Sequence, residues 1–152
     1  MTKYVLTTLV AGSLLSVALA DDKEDPAKDL KALQGRWRYV AREENGKASD
    51  PALFEGWSLV IEKDTLTMME GPNPVYRGTF KLDPSKKPRA IDLTITKGVP
   101  AANGKVQLGV YEIDKDTLKW CTAFPDDKAR PKEFSTKKDG KSEMWTFKRE
   151  KR

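Results

Sequence analysis

Leu33-Gln34-Gly35-Arg36-Trp37-Arg38-Tyr39-Val40 is the stretch from which the architecture can be read. After Gly35 the residues alternate. Trp37, Tyr39 and Ala41 fall on one face, Arg36, Arg38 and Arg42 on the other, and Val40 alone breaks the pattern. A period of two is that of a strand with one buried and one wet face. Gly35 lacks a Cβ and suits a tight turn where the strand begins. Trp37 is a large anchor whose indole N–H needs a partner once buried. A Gly-x-Trp opening a strand reads first as a core anchor and second as a tryptophan that also meets a ligand.

Downstream the pattern repeats. Strands are predicted over 57–62, 65–69, 75–82, 90–96, 105–113, 117–124 and 143–149, with the first strand running to about residue 43. Segment 90–96 alternates most cleanly, with Ile91, Leu93 and Ile95 opposite Asp92, Thr94 and Thr96. Segment 105–113 cannot be oriented, because Leu108 and Val110 oppose Tyr111 and Ile113. Upstream, Asp25-Pro26 reads as an N-cap followed by a first-turn proline, and predicts a short helix over 27–34. Pro51, after Asp50, predicts a further helical turn. Asn45-Gly46 marks a turn. Glu62-Lys63-Asp64-Thr65-Leu66 is echoed by Asp114-Lys115-Asp116-Thr117-Leu118, which reads as one hairpin chemistry used twice. Neither copy has the glycine and terminal glutamate of a calcium loop, so no metal is expected there.

Eight short strands joined mostly by short turns predict an all-β fold. The expected form is an eight-stranded up-and-down antiparallel barrel with a short N-terminal helix. Closure removes the exposed edges an open sheet would leave. A barrel of eight strands is narrow, and side chains either fill it or leave room for one small ligand.

The chain has 152 residues, enough for one domain with its own core. Residues 1–20 read as a secretory signal peptide: Lys3, an apolar run, then Ala18-Leu19-Ala20. The run is shorter than the roughly 20 residues of a membrane-spanning helix. Residues 21–29 read as a leader and 30–150 as the barrel domain, exported to the periplasm or secreted, with no membrane span after cleavage. One of the 28 basic residues, Lys3, lies in the signal segment; the other 27 face 23 acidic residues, a net charge of +4. These charges are dispersed, which with export argues against nucleic acid as a partner. Cys121 is the one cysteine, so no internal disulfide can form, and histidine is absent. The commonest general base and the commonest zinc ligand are therefore missing. No enzyme activity, metal or cofactor is expected. Cys121 beside Lys119 is the one reactive pairing.

The Gly35-Arg36-Trp37 segment resembles the Gly-x-Trp signature of lipocalins, and Lys148-Arg149 falls where lipocalins carry a basic residue that packs over that tryptophan. The resemblance is more specific to a lipocalin-like domain family of unknown function that is abundant in planctomycete bacteria. It rests on Leu33–Trp37, Gly78–Pro84, Ile91–Ile95, Leu108–Ile113 and Asp116–Cys121, with Arg130–Phe134, and covers about residues 30–150. It implies a lipocalin-type barrel outside the cytoplasm and assigns no activity. The middle lipocalin motif Thr-Asp-Tyr has no match.

Two functions follow as expectations. The first is a barrel that binds a small, apolar molecule through Tyr39, Tyr76, Tyr111 and Trp120, with Gly35, Trp37 and Arg149 as structural anchors. The second is a ligand-free interaction or inhibitory module of the cell envelope, meeting an envelope protein through the 125–140 connection with Arg130, Lys132 and Phe134. The bland counterparts are tyrosines that only pack the core and a connection that is only a solvated loop.

Overall fold

The computed structural model of the protein describes residues 24–138 and 140–151. The expected signal segment 1–20 and residues 21–23 of the expected leader lie outside the described residues. A short helix, α1 (Pro26–Leu33), is followed by β1 (Gly35–Glu44), β2 (Lys47–Ala48), β3 (Trp57–Glu62), β4 (Thr65–Glu70), β5 (Asn73–Asp83), β6 (Ala90–Lys97), β7 (Val106–Asp114), β8 (Thr117–Ala123) and β9 (Ser142–Arg149). Each strand pairs with its neighbour in chain order, antiparallel throughout. The one exception is β2, which only extends a hairpin from the far end of β1. The barrel closes where β1 pairs with β9, from Trp37 opposite Arg149 to Glu44 opposite Glu143. The protein is thus a closed, eight-stranded, up-and-down all-β barrel with one short helix. Among the described residues no helix is long and apolar enough to cross a membrane.

The sequence echo marks two turns of the same form. Lys63-Asp64 joins β3 to β4 and Lys115-Asp116 joins β7 to β8, with left-handed φ of 55° at Lys63 and 51° at Lys115.

The helix plugs one end of the barrel. Asp25 caps it by accepting from the Ala27 N–H at 2.9 Å, and Pro26 occupies the first turn, where no amide donor is needed. Gly35 leaves the helix at φ 110°, a conformation that side chains with a Cβ rarely adopt, and turns the chain into β1. Trp37 is fully buried and donates its indole N–H to the Leu33 carbonyl at 2.8 Å. The Arg149 guanidinium lies 4.0 Å from the Trp37 ring centroid, donates to the Gln34 carbonyl at 2.9 Å, and also bonds the Ala32 carbonyl. The last carbonyls of a helix have no partner within it and carry its negative dipole end. Here a cation from the last strand and the indole from the first satisfy three of them. Asp29, on the inner face of the helix, accepts from the Tyr111 hydroxyl at 2.6 Å and pairs with Arg89 at 3.2 Å.

Arg149→Ala should destabilise the fold by at least the roughly 0.5–2 kcal/mol of a cation–π contact, because two helix carbonyls lose their donor as well. An unchanged urea midpoint would contradict this.

Two features depart from the simple alternation. β1 bulges between Tyr39 and Ala41, where Val40 is the extra residue. The bulge inverts the phase, so Ala41 is exposed and Arg42, expected on the outer face, turns inward. In β7 the inward residues are Gln107, Gly109 and Tyr111, and the buried Val110 faces out. Residues 125–138 explain that burial. They lie over the outside of β6–β8 as a strap. Arg130 donates to the Ile91 carbonyl at 3.0 Å, the Gly109 carbonyl at 2.7 Å and Asp92 at 2.6 Å. Thr136 donates its amide and hydroxyl to Glu43 at 2.9 and 2.7 Å.

Candidate functional site

The end of the barrel opposite the helix is open. Strands β1 and β9 carry Arg42, Trp145 and Glu143 to this end, β3 begins there at Trp57, and β5 and β7 bring Tyr76 and Gln107. The 3₁₀ turn Pro51–Phe54 is capped by Asp50, which accepts from the Ala52 N–H at 3.0 Å, and it drops Phe54 over the mouth. On the far side Gly98 and Val99 lead out of β6, and Val99 is 70% exposed at the rim. Between these lies a cavity of about 410 Å³.

Its depth is apolar. Leu66, Met68 and Leu93 form the floor with Trp120. Gly78 keeps Leu93 in place, since a Cβ there would come within 2.6 Å of the leucine Cδ1. The wall toward β1 and β9 is aromatic. Phe54 sits 5.2 Å from Trp57 and 5.3 Å from Trp145, both edge-on, and Trp145 stacks on Phe147 at 6.0 Å. Edge-to-face rings at this spacing hold one another in place, so the wall is pre-formed.

The polar groups lie at the mouth. Arg42 pairs with Glu143 at 2.9 Å and with Glu44 at 2.6 Å, while its guanidinium stands 5.1 Å from the Trp145 ring and 5.8 Å from Phe54. The Arg42 and Glu143 side chains are both 18% exposed. Burial pushes the Glu143 carboxyl above the usual range, and the hydrogen bond and charge of Arg42 offset this in part. Burial also works against the charge on Arg42, but its two carboxylate partners outweigh that and hold it more firmly protonated. The Tyr76 hydroxyl donates to Gln107 Oε1 at 2.7 Å, and Gln107 in turn donates to the Ala123 carbonyl at 3.1 Å. Burial, and secondarily Glu143, pushes the Tyr76 hydroxyl well above its ordinary range, so it stays neutral.

Of the four side chains expected to meet a ligand, Tyr76 and Trp120 line this cavity. Tyr39 does not. It packs at 5.0 Å on Phe54 and 6.1 Å from Trp145, on the outer side of that wall, where it joins a crevice with Arg36, Arg38 and Val40. Its hydroxyl is buried beside the Arg42 backbone. Tyr111 lies at the plugged end on Asp29. All three tyrosines obey the inward alternation or sit close to it, but alternation carries no information about height along the barrel. Trp57 and Trp145, on the inner faces of their strands by alternation but not among the expected ligand contacts, also line it, and Phe54, Gln107 and Glu143 join Arg42 as lining residues that the alternation did not single out. The break at Val40 was the available signal for Arg42.

Cys121 faces out of β8, fully buried beneath the strap, with its thiol 3.7 Å from the Ser135 carbonyl. Burial first, and the carboxylates of Glu43, Glu143 and Glu133 next, push its pKa up to about 11. A thiol so placed is a poor nucleophile at neutral pH. The strap also commits Arg130, one of the three side chains expected to meet a protein partner, to contacts within the chain.

No protein-family model, curated protein or solved structure matches the chain.

Proposed function

We propose that this protein is a non-enzymatic, lipocalin-like binding barrel that takes up one small, mostly apolar molecule in the cavity at its open end. One observation carries the reading. A barrel of eight strands can be filled by its own side chains, yet this one keeps about 410 Å³ between an aromatic wall of Phe54, Trp57 and Trp145 and a floor that includes Trp120. That volume lies within the roughly 300–1,000 Å³ of small-molecule sites, which are typically apolar with a few placed polar groups. Tyr76 and Trp120 are the contact residues retained from the sequence reading, joined by Met68, Leu93 and the mouth groups. The signal-like composition of residues 1–20 supports an exported protein, periplasmic or secreted, and the sequence resemblance to lipocalin-like domains supports the same placement. The alternative, a ligand-free envelope interaction module working through 125–140, is left with less to work with, because Arg130 is already engaged.

The test uses N-phenyl-1-naphthylamine, a neutral apolar probe that fluoresces when it leaves water. Wild-type protein should bind one equivalent with energy transfer from the lining tryptophans. Met68→Trp, which adds an indole to the cavity floor, should lower the affinity at least about tenfold, the equivalent of ~1.4 kcal/mol. Equal binding by both proteins, or by neither, would refute the proposal.

A further inference from the structure

We infer that the molecule held in this cavity carries a cationic hydrogen-bond donor, of the primary ammonium class, at its polar end, and that Glu143 is the residue that selects it. The inference rests on the binding reading above and adds the ligand's charge to it.

The charged donor at the mouth and its hydroxyl are engaged within the protein. The Tyr76 O–H goes to Gln107, and the Gln107 amide goes to the Ala123 carbonyl. Arg42 directs Nε and Nη2 to Glu143 at 3.2 and 2.9 Å, its Nη2 also pairs with Glu44, and its Nη1 is turned toward Ser49 at 3.5 Å. Acceptors remain in excess. Both bonds from Arg42 to Glu143 fall on the single oxygen Oε2, and the Trp145 indole also bonds the carboxylate, which still leaves part of its roughly four acceptor sites over two oxygens. Tyr76 keeps the lone pairs of its hydroxyl. The charge count agrees. Two carboxylates, Glu44 and Glu143, share the one guanidinium that lines the mouth. A ligand carboxylate would be a third anion beside one cation. It would also find most of that cation's donors already in use.

The aromatic wall already accommodates a cation. Arg42 stands over Trp145 at 5.1 Å and Phe54 at 5.8 Å, within the range at which a ring face attracts positive charge. Trp57, Trp120 and Tyr76 line the same cavity without an intramolecular cation over their rings among the described residues. An alkyl or aryl ammonium would lay its apolar body on Leu66, Met68 and Leu93 and bring its head between these rings and Glu143. The preference runs against the net positive charge of the whole chain, so attraction to the protein at large would give the opposite order.

The experiment is a neutral-pH titration of wild-type protein with three probes of one chain length, n-octylammonium, n-octanol and octanoate, followed by tryptophan fluorescence. Octylammonium should bind tightest and octanoate weakest, with roughly a tenfold or larger gap between them, as expected for a charge-assisted hydrogen bond. In Glu143→Gln the ratio of ammonium to alcohol affinity should fall about tenfold. Octanoate binding as tightly as octylammonium overturns the inference and leaves the binding barrel standing. Failure of all three probes to bind overturns both. If Glu143→Gln does not fold, the wild-type order decides alone.

Discussion

Trp37→Ala is expected to lose roughly 3–5 kcal/mol of stability, the range for removing a large buried aromatic side chain. Three losses coincide at this position. The side chain is fully buried, so its removal leaves a cavity among Leu33, Leu59 and Phe147 rather than a surface dent. The Leu33 carbonyl loses the indole N–H that satisfied it at 2.8 Å. Arg149 loses the ring beneath its guanidinium and is left holding the helix end without that support. Small domains have about 5–15 kcal/mol in total, so this one substitution should remove roughly a fifth or more of the stability. Trp37→Phe keeps a ring and gives up the N–H, and should cost less, about 1–3 kcal/mol for the orphaned carbonyl and the lost volume. Urea unfolding of the three proteins checks the ranking. A Trp37→Ala loss below about 1 kcal/mol would mean that the helix plug does not depend on the tryptophan.

Arg42→Ala should have a comparable effect at neutral pH, roughly 2–4 kcal/mol, and a characteristic dependence on pH. Removing one partner of a largely buried ion pair leaves the other uncompensated. Glu143 would then stand among Trp145, Tyr76 and Trp120 without its guanidinium. Its carboxyl already sits above the usual range through burial, and Arg42 is the main influence holding it down. Without Arg42 the folded-state value rises further. A carboxyl whose pKa is raised on folding contributes stability that is fully present below its unfolded value, about 4.3. That contribution is lost as the pH climbs through the folded value. The deficit of Arg42→Ala relative to wild type should therefore be smallest near pH 4 and widen toward pH 7. Adding Glu143→Gln to the variant should narrow the deficit at pH 7 and flatten its pH dependence. Denaturation at three pH values tests this. A deficit that is constant or shrinks as the pH rises would contradict it.

The barrel was legible in the sequence because each strand advertises a period of two and each turn carries its own chemistry. Ile91, Leu93 and Ile95 point inward as their alternation requires. The Asp25-Pro26 cap starts the helix where expected. What escaped was set by contacts distant in the chain. Val40 looked like an exception within a regular strand, whereas it is the bulge that turns Arg42 into the mouth. Strand β7 appeared apolar on both faces because its outer face is roofed. Val110 and Cys121 lie under a strap whose residues are mostly polar. The connection 125–140 read as a solvated loop or a docking surface, but Arg130 alone ties it to two carbonyls and a carboxylate of the sheet. Tyr76 and Tyr111 were indistinguishable by pattern and lie at opposite ends of the barrel. Only the register of the closed sheet gives each inward residue its height.

The most direct test of the binding barrel locates the ligand on the molecule. Isotope-labelled protein titrated with N-phenyl-1-naphthylamine and followed by amide chemical shifts should show saturable changes at Met68, Tyr76, Gln107, Trp120 and Glu143. Residues at the plugged end, Asp29, Trp37 and Tyr111, should stay still. Changes confined to the outer crevice at Arg36 and Arg38, or no saturable change at all, would show that the cavity is not a binding site.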